Sequence, residues 1–525
     1  MPSTKKLLSI TNLKKYFPIA KSSIFQRQQY YVKANEDISL DIYEGETLGI
    51  VGESGCGKST LGRVLLQLYE QTAGTTMYYG MSRAELAPRY VTDTLRHAKR
   101  YISKLHAAQA RADAASAKVS QLGEAATFFD LQNKNLAVAE YQTAQAHIAK
   151  ILGGFLVRDT EQGAALLYRK ARLEERAAAL SDRIRDIELM LDEAEGGTAD
   201  DGKPANASQL ARLKGRCDRL TRERDGLNAQ IREAEQSIAA IKQAHRDDPE
   251  FQRYEAMLDD GIDLARLKYS EMRILRKDLQ IIFQDPYSSL NPRFTIGQII
   301  EEGLVTHKFF RHGSPKMREH VVRTMKECGL QEYMLFRYPH QFSGGQRQRI
   351  SIARALAVHP KFVVCDECVS ALDVSIQSQI INLLQELKQK EHLTYMFISH
   401  DLSVVRYISD RICVMYLGNV VELADAATVF GDPRHPYTVA LLSSIPTTDM
   451  ESLKKERILL EGSIPSPVKP PDGCKFHTRC WMACDKCRRV PPPLAEIEPG
   501  HFVACHFPER KLDENGNYMF EMPKT

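Results

Sequence analysis

Gly52-Glu53-Ser54-Gly55-Cys56-Gly57-Lys58-Ser59 fits the pattern G-x-x-x-x-G-K-[ST], and its flanks decide how it folds. Before it, Thr47–Val51 is a short apolar run that reads as a strand. After it, the run from Lys58 to Tyr69 reads as a helix. A strand, a glycine-rich turn and a helix N-terminus together make an anion cradle. The glycines let backbone N–H groups wrap phosphate oxygens, and the helix end adds a favourable field. Lys58 then reaches the terminal phosphates and Ser59 ligates Mg2+. Gly52, Ser54, Gly55, Gly57, Lys58, Ser59 and Thr60 are the phosphate-site candidates of this loop.

Such a loop needs a carboxylate at the end of a neighbouring strand. Phe362-Val363-Val364-Cys365-Asp366-Glu367 supplies it: four apolar residues make a buried strand, and Asp366 emerges where open α/β sheets bind ligands. Asp366 is placed to hold Mg2+, and Glu367 to orient or deprotonate an attacking water. Further out, Leu279–Phe283, Tyr395–Ile398 and Ile412–Tyr416 also read as strands, alternating with helical stretches. That alternation predicts an α/β core.

The chain has 525 residues, room for two to four domains. Hydrophobic residues make up 43%, charged residues 26%, and the formal net charge is +4, too mild to argue for a nucleic-acid partner. No stretch approaches the roughly 18 apolar residues of a membrane-spanning helix, and Met1 to Phe17 lacks an apolar signal core. A cytoplasmic protein is expected, peripheral to the membrane and reaching it only through partners. The expected division is 1–80 as the first part of the core, 81–270 as a helical insertion, 271–445 as the rest of the core, and 446–525 as a Cys-rich extension.

Within 81–270 two apolar series stand out. Leu173, Ala177, Leu180, Ile184, Ile187 and Leu191 alternate spacings of 3 and 4. So do Leu210, Leu213, Cys217, Leu220, Arg224, Leu227, Ile231, Ala234, Ile238 and Ile241, with Arg224 the misfit. Between them Gly196, Gly197, Gly202 and Pro204 form a breaker-rich turn. The pattern predicts an antiparallel coiled-coil hairpin; two ordinary amphipathic helices in a small bundle are the alternative.

Phe342-Ser343-Gly344-Gly345-Gln346 resembles the signature motif of ABC-type ATPases. Gln284 resembles the Q-loop glutamine, Ser370-Ala371-Leu372-Asp373 the D-loop, His400 the switch histidine, and Tyr16 the aromatic residue that stacks on adenine. Asp285–Arg293 and His435-Pro436-Tyr437-Thr438 are similar to segments of oligopeptide, dipeptide and nickel importer ATPases, closest to the second of the paired oligopeptide-importer ATPases. Cys368 stands where that subfamily carries Pro. The resemblance covers about 1–80 and 271–510.

It implies ATP and Mg2+ as ligands and coupling to import of short peptides, with nickel or another small solute as alternative cargo. Glu367, His400 and Gln284 would be catalytic, with Ser59, Gln284 and Asp366 on Mg2+. Ser343, Gly344, Gly345, Gln346 and Asp373 would bind nucleotide, with Ser343 and Gly345 contacting the γ-phosphate held by a second ATPase subunit, identical or a sister chain. Two membrane permease subunits and an extracytoplasmic substrate-binding protein complete the implied assembly. A coiled-coil ABC ATPase of DNA maintenance is the competing class. Against it stand the short hairpin, its place before Gln284, and the Cys-rich tail.

Of 11 cysteines, Cys474, Cys480, Cys484, Cys487 and Cys505 crowd into the last tenth of the chain. In a reducing compartment such a cluster suggests metal rather than disulfides. By resemblance Cys474, Cys480, Cys487 and Cys505 hold a [4Fe–4S] cluster and Cys484 is extra. Four thiolates also suit Zn2+, and an unliganded tail is the third reading.

Overall fold

The structure, a computed structural model, describes residues 5–21, 28–195, 207–310, 313–444, 458, 460 and 462–508. The chain forms two compact units. One comprises Met1–Thr72, Arg276–His307 and His320–Thr525; the other comprises Ala73–Leu275 with Lys308–Glu319.

The strands in chain order are β1 (Lys6–Pro18), β2 (Tyr31–Tyr43), β3 (Thr47–Val51), β4 (Ala73–Tyr78), β5 (Ile262–Asp263), β6 (Leu279–Ile282), β7 (Phe362–Asp366), β8 (Thr394–Ile398), β9 (Arg411–Tyr416), β10 (Asn419–Asp425), β11 (Ala495–Glu498) and β12 (His501–Val503). In the first unit, eight of these make one sheet in the order β11-β12-β10-β9-β3-β8-β7-β6. From β9 to β6 every pairing is parallel. β3, β7 and β8 are buried at every position, as expected of parallel strands covered on both faces. Their carboxyl ends therefore present Gly52, Glu367 and Ser399 along one edge. β9, β10, β12 and β11 continue the sheet antiparallel. The Cys-rich tail thus joins the core sheet through β12, with Glu422 opposite Val503. β1 and β2 pair antiparallel as a long ribbon.

The helix after the phosphate loop runs Lys58–Leu65, shorter than the expected Lys58–Tyr69. Gln67 has φ +52, and the N–H groups of Leu68 and Tyr69 turn back onto Arg63 O. A left-handed residue cannot continue an α-helix, so the element stops there.

The second unit is mainly helical. Its long helices are Ala98–Leu122, Phe128–Leu152, Thr160–Glu195 and Ala207–Ala244. The last two run antiparallel, since Asp159 meets His245 and Lys170 meets Glu235. Leu173, Ala177, Leu180, Ile184, Ile187 and Leu191 pack with Leu213, Cys217, Leu220, Leu227 and Ile231 in one apolar cluster. Arg224, the misfit, is half-buried, with its guanidinium 3.2 Å from Asp225. The turn at Gly196, Gly197, Gly202 and Pro204, and the boundary at Pro446, lie outside the described residues. β4 and β5 pair antiparallel, Met77 with Asp263 and Tyr78 with Ile262. Residues 79–261 therefore leave and return at one place.

Candidate functional site

The loop after β3 has a backbone that glycine alone accommodates. Gly52 has φ +146 and Gly57 φ +102, and a Cβ at either would lie 2.2 Å or 2.1 Å from a backbone oxygen. Lys58 is 5% exposed and donates through Nζ to Gly52 O at 2.7 Å and Glu53 O at 3.1 Å. Ser54 and Gly55 are exposed at the loop tip, and Ser59 and Thr60 are half-buried on the first helical turn.

Asp366, the last residue of β7, is 2% exposed. It accepts from Ser59 Oγ at 2.5 Å and lies 3.4 Å from Arg63. Oxygen ligands meeting at a strand end suit a hard divalent ion. Glu367 follows at φ +49, a left-handed conformation uncommon for a non-glycine residue. Its N–H donates to Ile398 O at 3.0 Å, and Ser370 donates to its carbonyl through N and Oγ. So held, its carboxylate accepts from Gln284 Nε2 at 2.9 Å and lies 3.5 Å from His400 Nδ1. Local strain over-determined by hydrogen bonds is characteristic of functional positions. The structure thus joins Ser59 to Asp366, and Gln284 and His400 to Glu367, with Asp366 and Glu367 adjacent in the chain.

Ser343 is exposed and caps the helix Gly344–Leu356, accepting from Gln346 N while Gln346 Oε1 accepts from Ser343 N. Asp373 caps Val374–Glu391 through Ile376 N. No hydrogen bond or ion pair joins Ser343, Gly344, Gly345, Gln346 or Asp373 to Lys58, Ser59 or Asp366 among the described residues. Tyr16 departs from its expected role. Its ring is 4% exposed and its Oη donates to Glu36, so no open face is left for stacking on a base.

Three contacts to the loop were not legible as pairs. Glu53 N–H donates to Tyr437 Oη at 2.8 Å. The Glu53 carboxylate takes a two-pronged contact from Arg479, at 2.8 Å and 3.1 Å. Asn35 Nδ2 donates to Gly57 O at 3.1 Å. The His435–Thr438 segment carried a signal without a role. Arg479 carried none, because Glu53 is a free position of the loop pattern and its partner lies in the tail.

In the tail, Cys474, Cys480, Cys487 and Cys505 line one cavity of about 20 Å³, with Phe476 and Met482. Cys484 does not line it, although its Sγ is 3.8 Å from that of Cys487. Burial pushes the Cys480 thiol up to about 12 and the Cys505 thiol up to about 11. Among the described residues no three His, Cys, Asp or Glu side chains already stand in a metal-binding arrangement.

Comparison with known proteins agrees with this geometry. The ABC transporter family profile matches residues 35–155 and 253–370, reaching further into the middle segment than the sequence resemblance did. The profile of the oligopeptide/dipeptide transporter C-terminal region matches residues 421–487. Oligopeptide transport ATP-binding protein AppF of Bacillus subtilis is 52% identical over 254 residues, which cover 48% of this chain and 76% of that protein. A solved bacterial ABC transporter cassette aligns with a TM-score of 0.40 and 16% identity, over 80% of this chain and 99% of that one. The phosphate loop with its carboxylates, the two family profiles and the identity to AppF place the chain in the ABC transporter ATP-binding family, in its oligopeptide/dipeptide branch.

Proposed function

We propose that this chain binds and hydrolyses ATP to drive import of short peptides through membrane permease subunits. The observation that carries the reading is the meeting of Ser59 with Asp366, and of Gln284 and His400 with Glu367, at the carboxyl edge of the parallel sheet. AppF, half identical over the matched region, is named for oligopeptide transport. Among the described residues no helix is long and apolar enough to cross a membrane. Membrane association therefore falls to partner subunits, on the cytoplasmic side.

Lys58 exchanges its carbonyl partners for the terminal phosphates of ATP. Ser59 and Asp366, with Gln284, would hold Mg2+, which would offset phosphate charge. Glu367 orients and deprotonates the attacking water, and His400 steadies its carboxylate. Ser343 and Gly345 sit at an exposed helix N-terminus, suited to an anion presented by a second ATPase subunit. That subunit is this chain or a sister chain, and an extracytoplasmic binding protein delivers the peptide. The organisation follows as a split ATPase core, an inserted coiled-coil hairpin and a Cys-rich extension built onto the core sheet. Nothing in the site or in the cited relative favours nickel cargo or DNA maintenance.

The donor set of the tail fits a thiolate-bound metal, because four cysteines converge on one cavity. Cys474, Cys480, Cys487 and Cys505 would hold a [4Fe–4S] cluster, or Zn2+ in the alternative. The bound metal supplies the positive charge that lets buried thiols ionise.

Glu367→Gln tests the catalytic assignment. ATP binding should persist while hydrolysis by the assembled transporter falls by roughly 100-fold or more. Turnover near wild type would remove Glu367 from this role. Lys58→Ala should instead weaken ATP binding itself.

A further inference from the structure

One cavity of the second unit has no part in ATP hydrolysis as described above. It measures about 730 Å³, within the range of small-molecule sites. Its walls are the helix Arg89–Arg96, the start of Ala98–Leu122, His147, one face of Thr160–Glu195, and the returning segment after β5 at Arg266 and Lys268.

Its charge is one-sided. Arg89, Arg96, Arg172, Arg266 and Lys268 line it against two carboxylates, Asp93 and Glu175. Both carboxylates are engaged. Asp93 accepts from Tyr101 Oη at 2.5 Å and lies 3.1 Å from His97 Nδ1, while Glu175 pairs with Arg172. Arg89, Arg96 and Lys268 have no ion-pair partner among the described residues. At the back, Arg266 is locked in place. It donates to His147 O at 3.0 Å and Thr94 Oγ1 at 2.7 Å, and its guanidinium stacks 4.5 Å from the Tyr90 ring centre. Burial holds its pKa below the usual arginine value despite Asp263, so a further anion would be favourable there. Guanidinium groups fixed by packing suit the oxygens of phosphate. Tyr90, Tyr101 and Tyr168 add flat apolar surface to the same walls.

We propose that this cavity binds a soluble nucleotide, with the phosphates on Arg266, Arg89, Arg96 and Lys268 and the base against the tyrosines. The site belongs to the inserted helical unit and is separate in residues from the loop Gly52–Ser59. A nucleotide bound there would let a second small molecule act on the transporter through its insert.

The test is equilibrium dialysis of the full chain with ATP, GTP and inorganic pyrophosphate. Wild type should bind two equivalents of at least one nucleotide, and Lys58→Ala should retain one. Arg89→Glu with Arg96→Glu should weaken that retained binding by roughly tenfold or more, leaving basal ATPase activity unchanged. Both arginines are exposed, so folding should survive; Arg89→Gln with Arg96→Gln provides a milder pair that should move binding in the same direction. Tyr168→Ala should weaken nucleotide and spare pyrophosphate. A single equivalent abolished by Lys58→Ala would overturn the proposal. So would retained binding indifferent to both arginine pairs. Equal affinity for pyrophosphate and both nucleotides, unmoved by Tyr168→Ala, would overturn the assignment to a nucleotide.

Discussion

Arg479 is the tail's grip on the phosphate loop. Its side chain is 6% exposed and engages both carboxylate oxygens of Glu53, one residue into the loop. A two-pronged guanidinium–carboxylate contact fixes direction as well as distance, which a lysine cannot reproduce. Arg479→Lys should therefore weaken ATP binding by roughly threefold to tenfold with little change in unfolding midpoint. Isothermal titration with ATP checks this, and unchanged affinity would reduce the contact to tail packing. Metal content should be measured alongside, since Cys480 is adjacent. The placement of Lys58, Ser59, Asp366 and Glu367 was legible from sequence because each sits in a short pattern beside its strand. Arg479 and Tyr437 were not, because their partners lie hundreds of positions away.

A second residue sets a pH dependence. His320 is buried, with Nε2 2.8 Å from Ala357 O and Nδ1 2.9 Å from Arg323. This pattern suits the neutral ring with its proton on Nε2. His359, Arg323 and Glu327 surround it, and burial, with His359 and Arg323 beside it, lowers its pKa below 6.5. Between its folded value and 6.5 the unfolded chain binds the proton and the native chain does not. Stability is thus whole above 6.5 and lost as pH falls toward the folded value. The urea midpoint should drop from about pH 7 to about pH 5, and His320→Gln should remove part of that drop. An identical slope in the variant would exclude His320 as a contributor.

At the scale of elements, periodicity decided what could be read. The series from Leu173 to Leu191 and from Leu210 to Ile241 announced a helix pair because large apolar residues recur at fixed spacing; Leu213, Cys217, Leu220, Leu227 and Ile231 pack against the first series, whereas Ile238 and Ile241 join a separate cluster with Val91, Leu95 and Phe155. The helices Ala98–Leu122 and Phe128–Leu152 were covered only by a general helical reading. Their buried positions include Ala108, Ala112 and Ala139, which a hydrophobic pattern barely registers. The tail was read from spacing and family likeness. What spacing could not show is that β12 joins the core sheet while the cysteines close on one cavity. That geometry separates the five cysteines: Cys480 lines the cavity and Cys484 does not. Protein purified without oxygen should carry iron and sulfide, lose them in Cys480→Ser and keep them in Cys484→Ser. Stoichiometric zinc would favour the alternative metal, and metal-free wild type would leave the cysteines as packing residues.

For the whole molecule, the five parallel strands that carry the site were legible because they are short apolar runs; β10, β11 and β12 of the same sheet were not read. The insert's borders were harder, since helical composition fades gradually at both ends. The compact second unit runs Ala73–Leu275 with Lys308–Glu319, and within it we propose that the β4–β5 pairing marks the insert's borders. Tyr78 pairs with Ile262, so the chain departs just after Tyr78 and is back in register by Ile262. Ile262 and Leu264 are 0% and 1% exposed, and Met272 and Leu275 are buried as well. An excision from 81 to 270 would remove the first two and the β5 pairing, at a cost of about 1.5–3 kcal/mol for each large apolar side chain lost from the interior. An excision from 81 to 260, bridged by a short Gly/Ser linker, keeps them. Closing so short a gap costs little chain entropy, because the two ends already lie side by side. The shorter excision should leave ATP binding at the Gly52–Ser59 loop within about threefold of wild type, and the longer one should unfold at lower urea. If the shorter excision abolishes folding, residues 81–260 are part of the ATPase core and not an insertion. If both excisions behave alike, the β4–β5 pairing is dispensable and the border lies elsewhere. If the shorter form folds, binds ATP and assembles with its permease yet transports with unchanged kinetics, the helical unit is a passive addition. Altered coupling between hydrolysis and transport would give it a regulatory role, one that helices of 36 and 38 residues, about 54 and 57 Å long, have the reach to exert on a partner subunit.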